Sequence, residues 1–330
     1  VSQSVRDFIA CRNAGVLDMI GQWNTHSYAA DDFSRAKLSA LCNEASMRLW
    51  MSEVGADGSG IRGNLDLARR LVDDISFLMP SAWIDWQYIE ENNDQWGLVM
   101  TDDYHNGDAW HTKHYFVRAQ FSRFIEPGST VITSLNPNTL AALTPGGDRL
   151  VIVALNTSAV GITHKVDLSA FEEVKSSVCA YITDPSRDTA WFGDYELRGN
   201  TLKFTLPPTS VATLIVPVTT RQLSGEINPE ATYLICPRTA SDVVVTADYD
   251  GVRLKPTDMS QSQQWKITRS GDLYKFTNLD GSILTEADAT NYYLDRENYE
   301  TGRQVFRINR IDPVHCYISN ADGSRAFDLE

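Results

Sequence analysis

In the first 126 residues, apolar runs alternate with stretches of helical periodicity, and that order limits the fold more than any other feature of this chain. Met19-Ile20-Gly21-Gln22-Trp23-Asn24, Arg48-Leu49-Trp50-Met51-Ser52 and Ala82-Trp83-Ile84-Asp85-Trp86-Gln87-Tyr88 read as strands. Between them, Leu38, Leu41, Cys42 and Ala45, and then Leu65, Ala68, Val72, Ile75 and Met79, recur at the spacing of one helix face. Ser34 and Asn64 stand where N-caps are expected. A helix is also read around Val5, Phe8, Ile9 and Arg12, and another from Lys113 to Phe124. Strands separated by helices pair in parallel, because the helix is the crossover that brings the chain back. The prediction is an α/β parallel sheet or (β/α)8 barrel.

The pattern changes near residue 127. Leu150–Leu155, Val178–Ile182, Thr201–Phe204 and Val211–Val216 read as strands, separated by turn signals such as Pro145-Gly146-Gly147 and Arg198-Gly199-Asn200. Residues 127–225 are therefore expected to form an antiparallel β-sandwich. Residues 226–330 carry an internal repeat: Gln263-Gln264-Trp265-Lys266-Ile267 returns as Gln304-Val305-Phe306-Arg307-Ile308. Each copy is followed by a short strand and an Asp-Gly turn, at Asp280-Gly281 and Asp322-Gly323. The expected domains are 1–126, 127–225 and 226–330.

Charge and composition narrow the function classes. Asp plus Glu outnumber Lys plus Arg by 43 to 29, a net charge of −14, which speaks against nucleic acid or an anionic membrane as the partner. No apolar run approaches the roughly 18 residues of a membrane span. Five cysteines are too few, and odd in number, for a disulfide framework, and they include no C-x-x-C pair, so a structural zinc site is not expected. Asp102, Asp103, His105, Asp108, His111 and His114 form a polar cluster that reads as a solvated loop rather than a metal site. No phosphate-binding glycine loop and no Gly-x-Ser-x-Gly elbow occurs, so no cofactor is expected. The chain reads as a monomer.

The sharpest chemical signal is Glu53, a carboxylate at the C-terminal end of an apolar strand. In a barrel of this type that end opens on the active-site mouth. The preceding strand leads into Trp23-Asn24-Thr25-His26-Ser27-Tyr28, and the following one into Trp86-Gln87-Tyr88-Ile89-Glu90. Aromatic faces stack on sugar C–H surfaces while carboxylates and imidazoles bind hydroxyls, so such a rim predicts a carbohydrate cleft.

Three motifs carry a resemblance: Trp50-Met51-Ser52-Glu53-Val54-Gly55, Trp96-Gly97-Leu98-Val99 and Gln120-Phe121-Ser122-Arg123-Phe124-Ile125-Glu126-Pro127-Gly128. With Val151–Asn156, they make the first 220 residues similar to the C-terminal half of a glycoside hydrolase family 30 enzyme, nearest to the endo-β-1,6-galactanase branch. The resemblance implies a retaining glycosidase acting on a β-linked polysaccharide. Glu53 matches the nucleophile, Tyr28 would orient it, and Trp23, His26, Trp86 and Glu90 would line the sugar subsite. The family's acid is a Glu after an Asn at the end of strand four, and this chain reads as opening after strand five. Asn43-Glu44 is rejected as that acid because it falls within a helix. The C-terminal repeat resembles a ricin-type β-trefoil, with Asp248 and Tyr249, or Asp288 with Tyr292 or Tyr293, as candidate sugar contacts. A secreted, periplasmic or cell-surface enzyme acting on a polysaccharide or oligosaccharide is expected; the alternative is a lectin-like protein that binds sugar without cleaving it.

Overall fold

A computed structural model describes the chain except for residues 56–57, 59, 92–95, 133, 135, 221–226, 238–242, 250, 288–291, 297–301, 311–315 and 326–330. It divides into two compact units, Val1–Gln222 and Leu223–Glu330.

The first unit begins with helix α1 (Ser2–Asn13), followed by strand β1 (Trp23–His26), helix α2 (Asp32–Glu44), strand β2 (Leu49–Val54), helix α3 (Ile61–Asp73) and strand β3 (Ala82–Asp85). The three strands are parallel in the order β1-β2-β3. The first strand starts at Trp23, not at Met19: Leu17–Met19 is a short 3-10 turn, and Met19 is 81% exposed. The N-caps also differ from expectation. Asp31 caps α2, accepting from both the amide (2.8 Å) and the hydroxyl (2.7 Å) of Ser34. These bonds favour its charged form and lower its pKa. Gly60 caps α3, and Asn64 sits inside the first turn, its amide donating back to the Gly60 carbonyl at 2.8 Å. Ile75 and Met79 lie beyond α3, in a wider π-type turn over Asp74–Leu78 and at its left-handed end.

One face of this sheet is packed. Leu49, Met51 and Val54 join Phe8, Leu38, Leu41, Cys42, Leu67 and Leu78 in a single cluster. Burial pushes the Cys42 thiol up to about 12, so it is an inert packing group. The other face carries Asn24, His26 and Ile84, all exposed.

After β3, β4 (Ile89–Glu91), β5 (Val99–Thr101) and β6 (Ala109–His111) make a small mixed sheet, and α4 (Lys113–Ser122) follows, capped by Thr112. The remaining strands form two antiparallel sheets. One holds β7 (Thr130–Ile132), β8 (Thr139–Leu143), β9 (Arg149–Asn156), β11 (Glu173–Val174), β12 (Cys179–Thr183), β13 (Ala190–Trp191) and β16 (Ser210–Thr219). The other is β10 (Ile162–Asp167), β15 (Thr201–Leu206) and β14 (Tyr195–Arg198).

The larger sheet is covered on both faces. Ile152, Ala154 and Leu214 pack towards Leu202, Phe204 and Leu206 of the smaller sheet. Val151, Val153, Leu155 and Val211 pack on Leu65, Ala68 and Leu71 of α3 and on Val117 and Phe121 of α4. That is why Leu150–Leu155 is an unbroken apolar run: neither face of β9 meets water. Through this face, residues 1–126 pack on residues 127–222 within the first unit.

In the second unit, β17 (Thr232–Tyr233), β18 (Val243–Asp248), β19 (Gly251–Pro256), β20 (Trp265–Ser270), β21 (Leu273–Asn278), β22 (Ile283–Glu286), β23 (Tyr292–Asp295), β24 (Phe306–Arg310) and β25 (Cys316–Asn320) surround Val245, Trp265, Ile267, Phe276, Leu284 and Phe306. The repeated glutamines have equivalent jobs. The side-chain amide of Gln263 donates to the Pro256 carbonyl (2.8 Å) and to Thr246 Oγ1 (3.3 Å). That of Gln304 donates to the Arg296 carbonyl (2.8 Å) and to Thr285 Oγ1 (3.2 Å).

Candidate active site

Glu53 lies within β2, opposite His26 of β1. Along β2, Leu49 and Met51 face the core. Unbroken alternation would send residue 53 to the same side. The β1–β2 register shifts between Thr25 and His26, so that Met51 pairs with Thr25 but Glu53 pairs with His26. The extra residue is a β-bulge. It turns Glu53 to the open face and returns Val54 to the core, where it is fully buried.

Around that carboxylate, Tyr28 Oη donates to Glu53 Oε1 at 3.3 Å, and His26 Nδ1 lies 3.8 Å from the same oxygen. The Glu53 side chain keeps 27% exposure, enough for a ligand to reach it. Burial raises the Tyr28 pKa above its ordinary value, and the charge of Glu53 and the hydrogen bond to it raise it further. The phenol is therefore held as a donor.

Gly55 closes the arrangement. A Cβ there would stand 2.7 Å from the Trp86 carbonyl oxygen, 3.4 Å from Trp96 Cδ1 and 3.7 Å from Tyr28 Oη. Only a glycine lets the end of β2, Trp86, Trp96 and Tyr28 meet this closely. Arg70 of α3 donates to the Gly55 carbonyl at 3.2 Å. The Trp86 amide is tied to the Val54 carbonyl at 3.0 Å, the Trp86–Gln87 peptide is cis, and Trp86 is 43% exposed.

Two of the expected subsite residues lie elsewhere. Trp23 shares the packed face: its ring meets Phe8 edge-on at 5.0 Å, and it belongs to the core under the sheet. The alternation that exposes Asn24 turns Trp23 the other way. Glu90 is on β4, in the separate small sheet, buried against Gly97 with its carboxylate bonded by Gln87. Trp83 is a packing residue, its indole donating to Asp74 at 2.8 Å under the Arg118 guanidinium. Glu44 ends α2 and pairs with Arg12 at 3.7 Å.

His114, read as part of a loop cluster, is instead buried on α4. Its ring nitrogens face Asp85 Oδ1 (3.0 Å) and the Trp96 carbonyl (2.9 Å), and Arg118 Nε donates to Asp85 Oδ2 at 2.7 Å. This network fastens the end of β3 to the segment that carries Trp96. Among the described residues, no group of three or more His, Cys, Asp or Glu is placed to hold a metal ion. No helix among them is long and apolar enough to cross a membrane. In the second unit, the Asp248 carboxylate is held by Lys255 at 2.8 Å and Tyr249 is fully exposed; Asp288 lies outside the described residues.

The sequence held a signal for Gly55, inside Glu53-Val54-Gly55, and for Trp96, but none for the bulge or for Asp74. A bulge is a property of two paired strands, and one strand's sequence does not contain it.

No family model matches the chain. Over 145 residues, 44% of its length, it is 33% identical to the endo-β-1,6-galactanase of Hypocrea rufa. The likeness is to glycoside hydrolase family 30. Two solved structures of that family have a similar fold. The GH30 endoxylanase of Clostridium papyrosolvens C71 matches with a TM-score of 0.51 and 24% identity, over 61% of this chain and 50% of that one. The catalytic domain of GH30 xylanase C from Talaromyces cellulolyticus matches with a TM-score of 0.50 and 22% identity, over 62% of this chain and 47% of that one. The chain spans 29% of the galactanase and about half of each solved xylanase.

Proposed function

We propose that the first unit belongs to a retaining glycoside hydrolase with Glu53 as its nucleophile. The observation that carries this reading is a partly open carboxylate at the C-terminal end of a parallel strand, with Tyr28 Oη 3.3 Å away. In this reading β1 to β3 are strands six to eight of a (β/α)8 barrel, and the two antiparallel sheets are its side sandwich. Glu53 attacks the anomeric carbon, the glycosidic C–O bond breaks, and the leaving oxygen takes a proton from a second carboxylic acid outside the strands described here. Water then hydrolyses the glycosyl ester. Tyr28 orients the carboxylate, and His26 and Trp86 line the sugar subsite. The substrate class is a β-linked polysaccharide, with β-1,6-galactan preferred because the galactanase has the higher identity. Such a substrate places the enzyme outside the cell or at its surface. The second unit is read as a trefoil-type sugar-binding module.

The test is covalent trapping with 2-deoxy-2-fluoro-β-galactosyl fluoride, whose fluoride leaves without a proton, so the acid is not needed. Peptide mass spectrometry is expected to find the adduct on Glu53 and to lose it in Glu53→Gln. An adduct elsewhere, or labelling that survives Glu53→Gln, overturns the assignment. Sugar release from β-1,6-galactan but not xylan supports the preferred substrate; the reverse replaces it. Binding to both without release from either favours a lectin.

A further inference from the structure

Beneath the rim, and unused by the reaction just described, lies a fully buried ion pair. Asp74, in the turn after α3, has no exposed surface, and Arg35 of α2 is 3% exposed. Arg35 Nε donates to Asp74 Oδ1 at 2.7 Å. The other carboxylate oxygen accepts from Ser27 Oγ at 2.7 Å and from the Trp83 indole at 2.8 Å. Arg35 also donates to the Ala30 carbonyl at 2.8 Å, and the Ala30 amide donates to the Ser27 carbonyl at 3.2 Å. One carboxylate thus ties α2, α3 and β3 to the segment that follows β1.

Ser27 itself is completely buried, and its two neighbours are the residues that meet Glu53. The chain leaves β1 at His26 and turns, with Ser27 buried and both His26 and Tyr28 exposed on either side of it. Fixing the Ser27 side chain inwards therefore holds its two neighbours on the outer side. Buried ion pairs contribute little net stability compared with well-packed apolar groups, so stability alone accounts poorly for this one.

We propose that Asp74, held by Arg35, is a positioning residue that acts through Ser27 to set Tyr28 and His26 against Glu53. The proposal rests on the reading of Glu53 as nucleophile for its catalytic meaning, but its geometric content is testable without it.

The variant to make is Ser27→Ala in the full chain, which removes one hydrogen bond from the set and leaves the ion pair. Two readouts are taken. The first is the NMR titration of the Tyr28 ring, identified by the resonance lost in Tyr28→Phe; the charged groups around it are Glu53 and Arg70, and the His26 ring stands beside it. The second is the rate of Glu53 labelling by the fluorosugar fluoride. The expected results are a Tm lower by about 2–4 °C, a Tyr28 titration moved down towards its ordinary value, and labelling slowed at least about 10-fold. Apparent inactivator affinity should change by less than about 3-fold. Ser27→Cys, similar in size with a weak donor, should fall between parent and alanine, and it replaces Ser27→Ala if the alanine variant fails to fold. A lower Tm with unchanged Tyr28 titration overturns the proposal and leaves a purely structural bolt. If neither parent nor variant is labelled, the nucleophile reading fails, and the Tyr28 titration alone decides whether Ser27 positions it.

Discussion

Glu53 faces His26 across the β1–β2 pair because the register slips at that point, and the same slip sends Val54 back into the core. A single extra residue thus separates a buried apolar strand from a carboxylate open to ligand. The bulge, Gly55 and the Trp86 carbonyl form a compact piece of backbone on which the candidate chemistry stands.

Tyr28 is 43% exposed, so removing its hydroxyl should leave the fold intact. Tyr28→Phe is expected to lower the labelling rate of Glu53, or kcat on polysaccharide, by about 10- to 100-fold, with KM little changed. Because its pKa lies above the ordinary tyrosine value, the parent should keep this donor past pH 10. Equal rates for parent and variant would remove Tyr28 from the site.

Gly55→Ala places a methyl group 2.7 Å from a backbone oxygen that has little room to retreat. The first unit should lose about 1–3 kcal/mol, measured by urea denaturation. Trp86 and Trp96 fluorescence should shift as their packing opens. An unchanged midpoint together with unchanged emission would show that the contact relaxes freely.

Asp73 supplies a pH signature. Burial lifts its carboxyl from 3.8 to about 6, against the pull of Arg69 at 2.9 Å, and its side chain is only 16% exposed. A carboxyl with a raised folded pKa adds stability below its unfolded value and loses it as pH rises through the folded value. The window therefore runs from 3.8 to about 6. Asp73→Asn, which does not titrate there, should gain on the parent by up to about 3 kcal/mol between the acid and neutral ends of that window. The comparison is made by difference, since His164, whose pKa burial lowers, tilts both proteins the opposite way. A pH-independent gap between the two would refute the assignment.

Gln263→Ala leaves the amides of Asp258 and Met259 without their acceptor, and Gln304→Ala removes the donor to the Arg296 carbonyl. Each should cost about 2–3 kcal/mol in the second unit. Hydrogen exchange should accelerate in β18 to β24 and stay unchanged in β9 and β16. Loss of protection in β9 would mean that the two units unfold together.

The periodic parts of the fold were legible. Leu38 with Leu41, Leu65 with Ala68, and the run Leu150–Leu155 announce their elements because burial imposes a period of 3.6 or an unbroken apolar run. The repeated Gln-x-aromatic was readable because each glutamine does the same job in its own copy of the repeat. Element ends were less legible. Asp31 and Ser34 are both good caps, and which one bonds which depends on where the chain enters the helix. Trp23 misled because an indole suits a sugar face and a hydrophobic core equally well; strand alternation and Phe8 decided for the core. Glu90 misled because closeness in sequence to the end of β3 does not keep it on the sheet that carries Glu53.

What the sequence determined alone was the alternation of helices and strands as far as β3, the change to strands after residue 127, the acidic charge balance, the glutamine repeat and a carboxylate at the end of an apolar strand. These follow from local periodicity and composition. Only the tertiary structure decided that Glu53 faces outwards, that Tyr28 and His26 meet it, and that Arg35, Asp74 and Ser27 lie beneath them. Those relations join residues tens of positions apart, through a register shift and a buried ion pair that exist only once separate strands and helices have packed together.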